Sequence, residues 1–213
     1  MSHTSRNYLP AAGHDWSLPF YDPVVKLMGG ESAQKSLVEQ AALLPGQRVL
    51  DVGCGTGTMD IMIKRLHPDV EVIGLDPDPK ALARATRKAV RAGLSIRFDR
   101  GFADQLPYAE GSFDRVLSSF MFHHVPAEDR GRMMEAIRRV LKPGGELHLL
   151  DFEGPEDSST NFLARLFHAN EHLKDNSARQ VLNLMTRAGF ASAQKVGRKR
   201  LLFGTIAYYQ ASI

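Results

Sequence analysis

The chain has 213 residues, of which 43% are hydrophobic and 24% charged, and its formal net charge is +3. That length suits one large domain or two small ones with a sizeable core, and so slight a basic excess gives no argument for a nucleic-acid partner. The single cysteine, Cys54, excludes an intramolecular disulfide framework and a cysteine-rich zinc site. The polar Met1–Pro10 stretch lacks the apolar core of a signal peptide, and no apolar run nears the roughly 18 residues of a membrane span, so a soluble, cytoplasmic protein is expected.

Ser32 to Leu44 reads as an amphipathic helix stopped by Pro45-Gly46, and Gln47 to Val52 as the first strand. A glycine-rich turn leads into a helix over Met59–Leu66, and Val70–Leu75 forms a second strand. Asp78 is placed to cap a helix that reaches Ala92, with Gly93 as its C-terminal stop. Leu94–Phe98 and Phe113–Ser118 follow as third and fourth strands. A helix over Glu128–Leu141 ends at Lys142-Pro143-Gly144-Gly145, and Glu146–Asp151 is the fifth strand. Strands separated by helices predict an α/β fold, a doubly wound parallel sheet with helices on both faces. After a polar stretch over Gly154–Thr160, helices are expected at Asn161–Leu173 and Ser177–Ala188. The last two strands, Ala191–Leu201 and Phe203–Ala211, are joined too tightly for a helical crossover and should pair antiparallel, giving seven strands in all.

The most informative run is Val49-Leu50-Asp51-Val52-Gly53-Cys54-Gly55-Thr56-Gly57-Thr58. A turn without Cβ atoms lets a ligand lie against the backbone, and the N–H groups that open the next helix favour an anionic group. The spacing is D-x-G-x-G-x-G, built from Asp51, Gly53, Gly55 and Gly57. A dinucleotide fingerprint requires Gly or Ala where Thr58 stands. Asp76 ends the second strand about twenty residues further on, where a carboxylate can accept hydrogen bonds from both hydroxyls of an adenosine ribose. Alternatively, Asp76-Pro77 merely opens a turn.

The glycine run resembles motif I of the class I S-adenosylmethionine (SAM)-dependent methyltransferases. Gly101-Phe102-Ala103-Asp104-Gln105-Leu106-Pro107-Tyr108 resembles that family's adenine-binding loop. Gly111-Ser112-Phe113-Asp114-Arg115-Val116 and Leu141-Lys142-Pro143-Gly144-Gly145-Glu146-Leu147 resemble its fourth strand and the turn into its fifth. The likeness spans about Ser32 to Ser212 and is nearest to the subgroup of ubiquinone and menaquinone biosynthesis methyltransferases. It implies a Rossmann-like sheet in a single domain over residues 32–213, a cap segment over residues 1–31, and SAM as cofactor with S-adenosylhomocysteine as product. It implies a cofactor site of Asp51, Gly53, Cys54, Gly55, Gly57, Asp76, Pro77, Ala103, Asp104, Gln105, Leu106, Ser118, Ser119 and Tyr21. Asp104 would accept the adenine amino group, with Ala103 or Leu106 against the ring. Ser118, Ser119 and Phe120 would lie near the sulfonium.

The implied reaction is an in-line methyl displacement onto a small-molecule acceptor, with oxygen, nitrogen and carbon acceptors all open. Phe20, Phe120, Phe122, Phe162 and Phe167 hint at a quinol or lipid-like acceptor, although core packing explains them as well. His123 and Tyr21 are the candidate catalytic residues. Histidine suits a general base near neutral pH, but a packed or capping histidine is the competing reading. An NAD-dependent oxidoreductase and a non-catalytic SAM-binding module are the alternative functions. His168-Ala169-Asn170-Glu171-His172 matches a zinc-protease pattern by spacing, but so short a match is easily accidental and no metal site is expected. Cys54 fits the glycine turn better than it fits a nucleophile. The basic positions Lys80, Arg84, Arg87, Lys88 and Arg91 read as a solvated helix face, and Ser118-Ser119-Phe120-Met121 departs from the pattern of the family's nucleic-acid base methylating members.

Overall fold

The computed structural model of the chain describes residues 29–154, 176–201 and 204–213. Its elements, in order, are α1 (Gly30–Gln40), β1 (Arg48–Val52), α2 (Thr58–Leu66), β2 (Glu71–Asp76), α3 (Pro79–Arg91), β3 (Arg97–Arg100), β4 (Phe113–Ser119), a single 3-10 turn (Phe122–His124), α4 (Ala127–Val140), β5 (Leu141–Phe152), α5 (Ala178–Arg187), β6 (Ser192–Leu201) and β7 (Gly204–Ser212). The seven strands form one sheet in the order β3-β2-β1-β4-β5-β7-β6, and β7 alone runs opposite to the other six. This is the Rossmann-like doubly wound sheet with a C-terminal hairpin that the strand–helix alternation predicts. The chain direction across the sheet reverses between β1 and β4, and open α/β sheets bind ligands at that crevice, beyond the carboxyl ends of the strands.

Strand alternation sorts the side chains onto two faces. Val49, Val72, Leu117, Leu150, Ile206 and Tyr208 pack with Leu37, Val38, Met59 and Ile63 of α1 and α2. Leu50, Val52, Ile73, Val116, Leu147, Leu149 and Tyr209 pack with Met133, Ile137, Val181 and Met185 of α4 and α5. The same parity puts Asp51, Gly74, Asp76 and Ser119 on the α1–α2 face, and Ser118 and Asp151 on the other. Asp78 caps α3 by accepting from the Lys80 N–H, and Ser177 and Gln180 form a capping box on α5.

Three predicted elements have a boundary that moves by three residues or more. α1 stops at Gln40 rather than Leu44, because the chain turns at Ala42 with φ +45°. β3 lies at Arg97–Arg100 rather than Leu94–Phe98, since its register is set by pairing Ile73 with Arg97 and Asp76 with Arg100. β5 begins at Leu141, which pairs with Phe113 across a register shift that absorbs the Pro143-Gly144-Gly145 turn. The predicted helix over Asn161–Leu173 lies outside the described residues. Among the described residues no helix is long and apolar enough to cross a membrane.

Candidate active site

The glycine turn leaves the end of β1 with Gly53, Gly55 and Gly57 at φ +78°, +53° and +73°, all in the left-handed region that favours glycine. The N–H groups of Gly53 and Cys54 both donate to the Leu75 carbonyl, which ties the turn to the end of β2. The three glycines serve different ends. A Cβ on Gly53 would collide with the Met121 side chain, and one on Gly57 would lie 2.8 Å from Ala85 Cβ. Nothing lies within 4 Å of the Gly55 position. Gly53 and Gly57 therefore admit other parts of the protein, whereas Gly55 borders open space.

Asp76 binds the same turn. Its Oδ2 accepts from the Gly55 N–H at 2.9 Å and its Oδ1 from the Asp78 N–H at 2.9 Å. Each oxygen keeps a second lone pair, enough to take two ribose hydroxyls. Burial pushes its pKa up to about 6. Deeper on the same face, Asp51 and Asp60 are 1% and 0% exposed. Their oxygens face each other rather than any donating side chain. Burial raises both carboxyls well above the usual range, which favours a shared proton. Gly74 makes this possible, because a Cβ there would lie 2.8 Å from both Asp60 Oδ1 and Cys54 Sγ. Burial pushes the Cys54 thiol up as well, the reverse of what a nucleophile needs.

The loop after β3 carries the candidate adenine site. Asp104 Oδ2 lies 3.7 Å from Arg132 Nε. Ala103 is half-buried, Gln105 is exposed, and Leu106 is buried in the core with its carbonyl accepting from Arg139. Pro77 is half-buried, and its carbonyl accepts from Arg100 Nε at 3.2 Å.

A second cluster sits at the ends of β4 and β5. Ser118 is fully buried and donates its hydroxyl to the Val52 carbonyl, joining β4 to β1. Ser119 Oγ accepts from Gln34 Nε2 of α1 at 3.0 Å. Phe120 then takes φ +53°, uncommon for a bulky side chain, and the chain folds into the 3-10 turn. His123 Nδ1 lies 2.6 Å from Asp151 Oδ1, while the His123 N–H donates to Asp151 Oδ2 at 2.9 Å. Because the carboxylate accepts, Nδ1 carries the proton and Nε2 is left as the acceptor. Phe152 packs edge-on to His123, with ring centroids 5.4 Å apart, and lies 5.3 Å from Phe120. His123, Phe120 and Phe152 thus form an aromatic wall around a histidine of fixed tautomer.

The structure thus brings together, at the carboxyl edge of one sheet, the described members of the predicted set. Tyr21, Phe20, Phe162, Phe167 and the His168-x-x-Glu171-His172 segment lie outside the described residues. Reading the sequence missed Asp60, Asp151 and Gln34. Asp60 carried a signal, since it is an acid among the buried positions of an amphipathic helix. Asp151 carried another, because it ends a central strand as Asp51 and Asp76 do. Nothing local marks Gln34.

A family model described as a methyltransferase domain matches residues 49–145. The demethylmenaquinone methyltransferase of Deinococcus radiodurans is 41% identical over 121 residues, which cover 57% of this chain and 49% of that protein. An uncharacterized methyltransferase of Synechocystis sp. is 33% identical over 174 residues, which cover 79% of this chain and 78% of that protein. Phosphoethanolamine N-methyltransferase 2 of Haemonchus contortus, solved in complex with S-adenosyl-L-methionine, shares the fold with a TM-score of 0.75 at 19% identity, over 86% of this chain and 43% of that one. The chain spans about half the length of the Deinococcus relative. With the glycine turn, the buried carboxylate at the end of β2 and the sheet order in place, these matches show that the chain belongs to the class I SAM-dependent methyltransferases.

Proposed function

We propose that the protein transfers the methyl group of SAM to a hydroxyl of a small, largely apolar acceptor, with His123 as general base. The residues present fit the cofactor: the Gly55 position is open, and Asp76 retains acceptor capacity beside it. Asp76 would hold the ribose, the turn from Gly53 to Gly57 the amino-acid end, and Asp104 with Ala103 the adenine. Bound SAM supplies an electrophilic methyl group on a sulfonium whose thioether leaving group is neutral. The protein's own work is then to align the acceptor, exclude water and take one proton. The observation that carries the reading is the His123–Asp151 pair, whose geometry leaves Nε2 ready to accept a proton. A purely packing histidine gives no reason for a buried carboxylate to fix its tautomer. Phe120 and Phe152 support an apolar acceptor of the quinol or phenol kind. The cap of residues 1–31, with Tyr21 as a cofactor-contacting residue, belongs to the same reading and rests on the family resemblance.

The test is incubation with methyl-labelled SAM and a panel of lipophilic phenols and quinols, reduced demethylmenaquinol among them. Labelled O-methyl product that disappears in His123→Ala supports the reading. Product carrying the label on nitrogen or carbon, or turnover indifferent to His123, would replace it.

A further inference from the structure

Gln34 stands on α1, the helix laid across the β4–β5 part of the sheet on the face that carries Asp51, Asp76 and Ser119. Its amide is fixed from one side, since Nε2 donates to Ser119 Oγ at 3.0 Å. Its other end, Oε1, is buried and has no hydrogen-bond partner among the described residues. A buried carbonyl oxygen left without a donor is costly, so a ligand that brought a donor to this one would gain from the contact. Ser119 lies at the end of β4, directly across the switch point from the glycine turn that leaves β1.

The charges around this crevice select the kind of donor. Asp51 on β1, Asp60 on α2 and Asp76 on β2 are buried acids on the same face. Lys88 on α3, whose charge acts on Asp60, is hydrogen-bonded to Thr56 and Thr58. His123 Nδ1 is hydrogen-bonded to Asp151 Oδ1. The crevice is therefore rich in acceptors and negative potential, and it suits an ammonium better than a carboxylate.

We propose that Gln34 Oε1 takes a hydrogen bond from the α-ammonium group at the amino-acid end of SAM, so that α1 recognises the cofactor through one amide. The proposal rests on the cofactor reading above. Two ligands test it by calorimetric titration of the full chain: S-adenosylhomocysteine, which keeps the ammonium, and 5′-methylthioadenosine, which has the adenosine and thioether but no amino-acid end. Gln34→Leu keeps the bulk and removes the oxygen. It is expected to weaken S-adenosylhomocysteine by about tenfold, the scale of one charge-assisted hydrogen bond, and to leave 5′-methylthioadenosine unchanged. Gln34→Glu keeps an oxygen and is expected to bind S-adenosylhomocysteine more tightly than Gln34→Leu does. Unchanged S-adenosylhomocysteine affinity in Gln34→Leu overturns the proposal, as does a parallel loss of both ligands or an equal loss in the two variants. If the wild-type chain binds neither ligand, the cofactor reading fails and this one fails with it.

Discussion

The two halves of the site handle their carboxylates in opposite ways. Around β1 and β2, Asp51 and Asp60 are packed against each other, with Asp76 nearby, and burial raises all three pKa values. Around β4 and β5, the single buried acid Asp151 is met by three donors: the His123 N–H, His123 Nδ1 and the Phe152 N–H. Both clusters sit at the carboxyl edge of one sheet. In the first, the oxygens of Asp51 and Asp60 meet no donating side chain, and Asp76 takes two backbone N–H groups. In the second, both carboxylate oxygens of Asp151 meet donors within the protein. On the proposed function, the first half binds the cofactor and the second takes the proton.

The comparison breaks most visibly in the second half. His123→Ala is expected to lower turnover by about a hundredfold to ten-thousandfold, the usual worth of a general base, while S-adenosylhomocysteine binding stays the same. Asp151→Asn should lower turnover by a smaller factor, because the imidazole remains but its tautomer is no longer imposed. Steady-state rates set against calorimetric affinities separate the two effects, and a matching loss of affinity would show that the halves are not independent.

In the first half the expected loss is of affinity. Asp76→Ala should weaken S-adenosylhomocysteine by about tenfold to a hundredfold, the scale for charged hydrogen bonds. Ribose hydroxyls need the ionised carboxylate, and the Asp76 pKa is held at about 6. Wild-type affinity should thus be flat above pH 7 and fall by about tenfold per pH unit below 6, a dependence absent from Asp76→Ala. Titrations from pH 5 to 8 check this.

The glycines sharpen the division further. Gly53→Ala forces a methyl group into Met121 and should cost about 2–4 kcal/mol of stability. Gly55→Ala meets open space and should cost about 1 kcal/mol, the backbone strain alone, yet weaken ligand binding. Denaturant melts together with calorimetry would show the two losses crossing over. The smallest effect concerns the buried pair. Asp51 and Asp60 have folded-state pKa values raised above the ordinary 3.8, so the folded protein holds more protons than the unfolded chain. The pair's contribution to stability is then fullest at acid pH and is lost as pH rises from about 4 through neutrality. Asp60→Asn gives Asp51 a donor and should flatten that fall, measured as the difference between melts at pH 5 and pH 8.

The sequence by itself determined the order of strands and helices, the glycine turn, the acids at the strand ends and the capping residue Asp78. Each of these depends on periodicity or on residues a few positions apart, which the chain displays directly. Only the tertiary structure decided the pairings that set the chemistry: His123 with Asp151, Gln34 with Ser119, Asp51 with Asp60, and Met121 over Gly53. Asp151 is 28 positions from His123, and Gln34 is 85 from Ser119. Such pairs meet because sheet order and strand parity bring distant segments to one edge and one face. The register of β3 was likewise set by its partner β2 rather than by its own residues. No local pattern encodes those contacts, because they arise from packing the whole sheet.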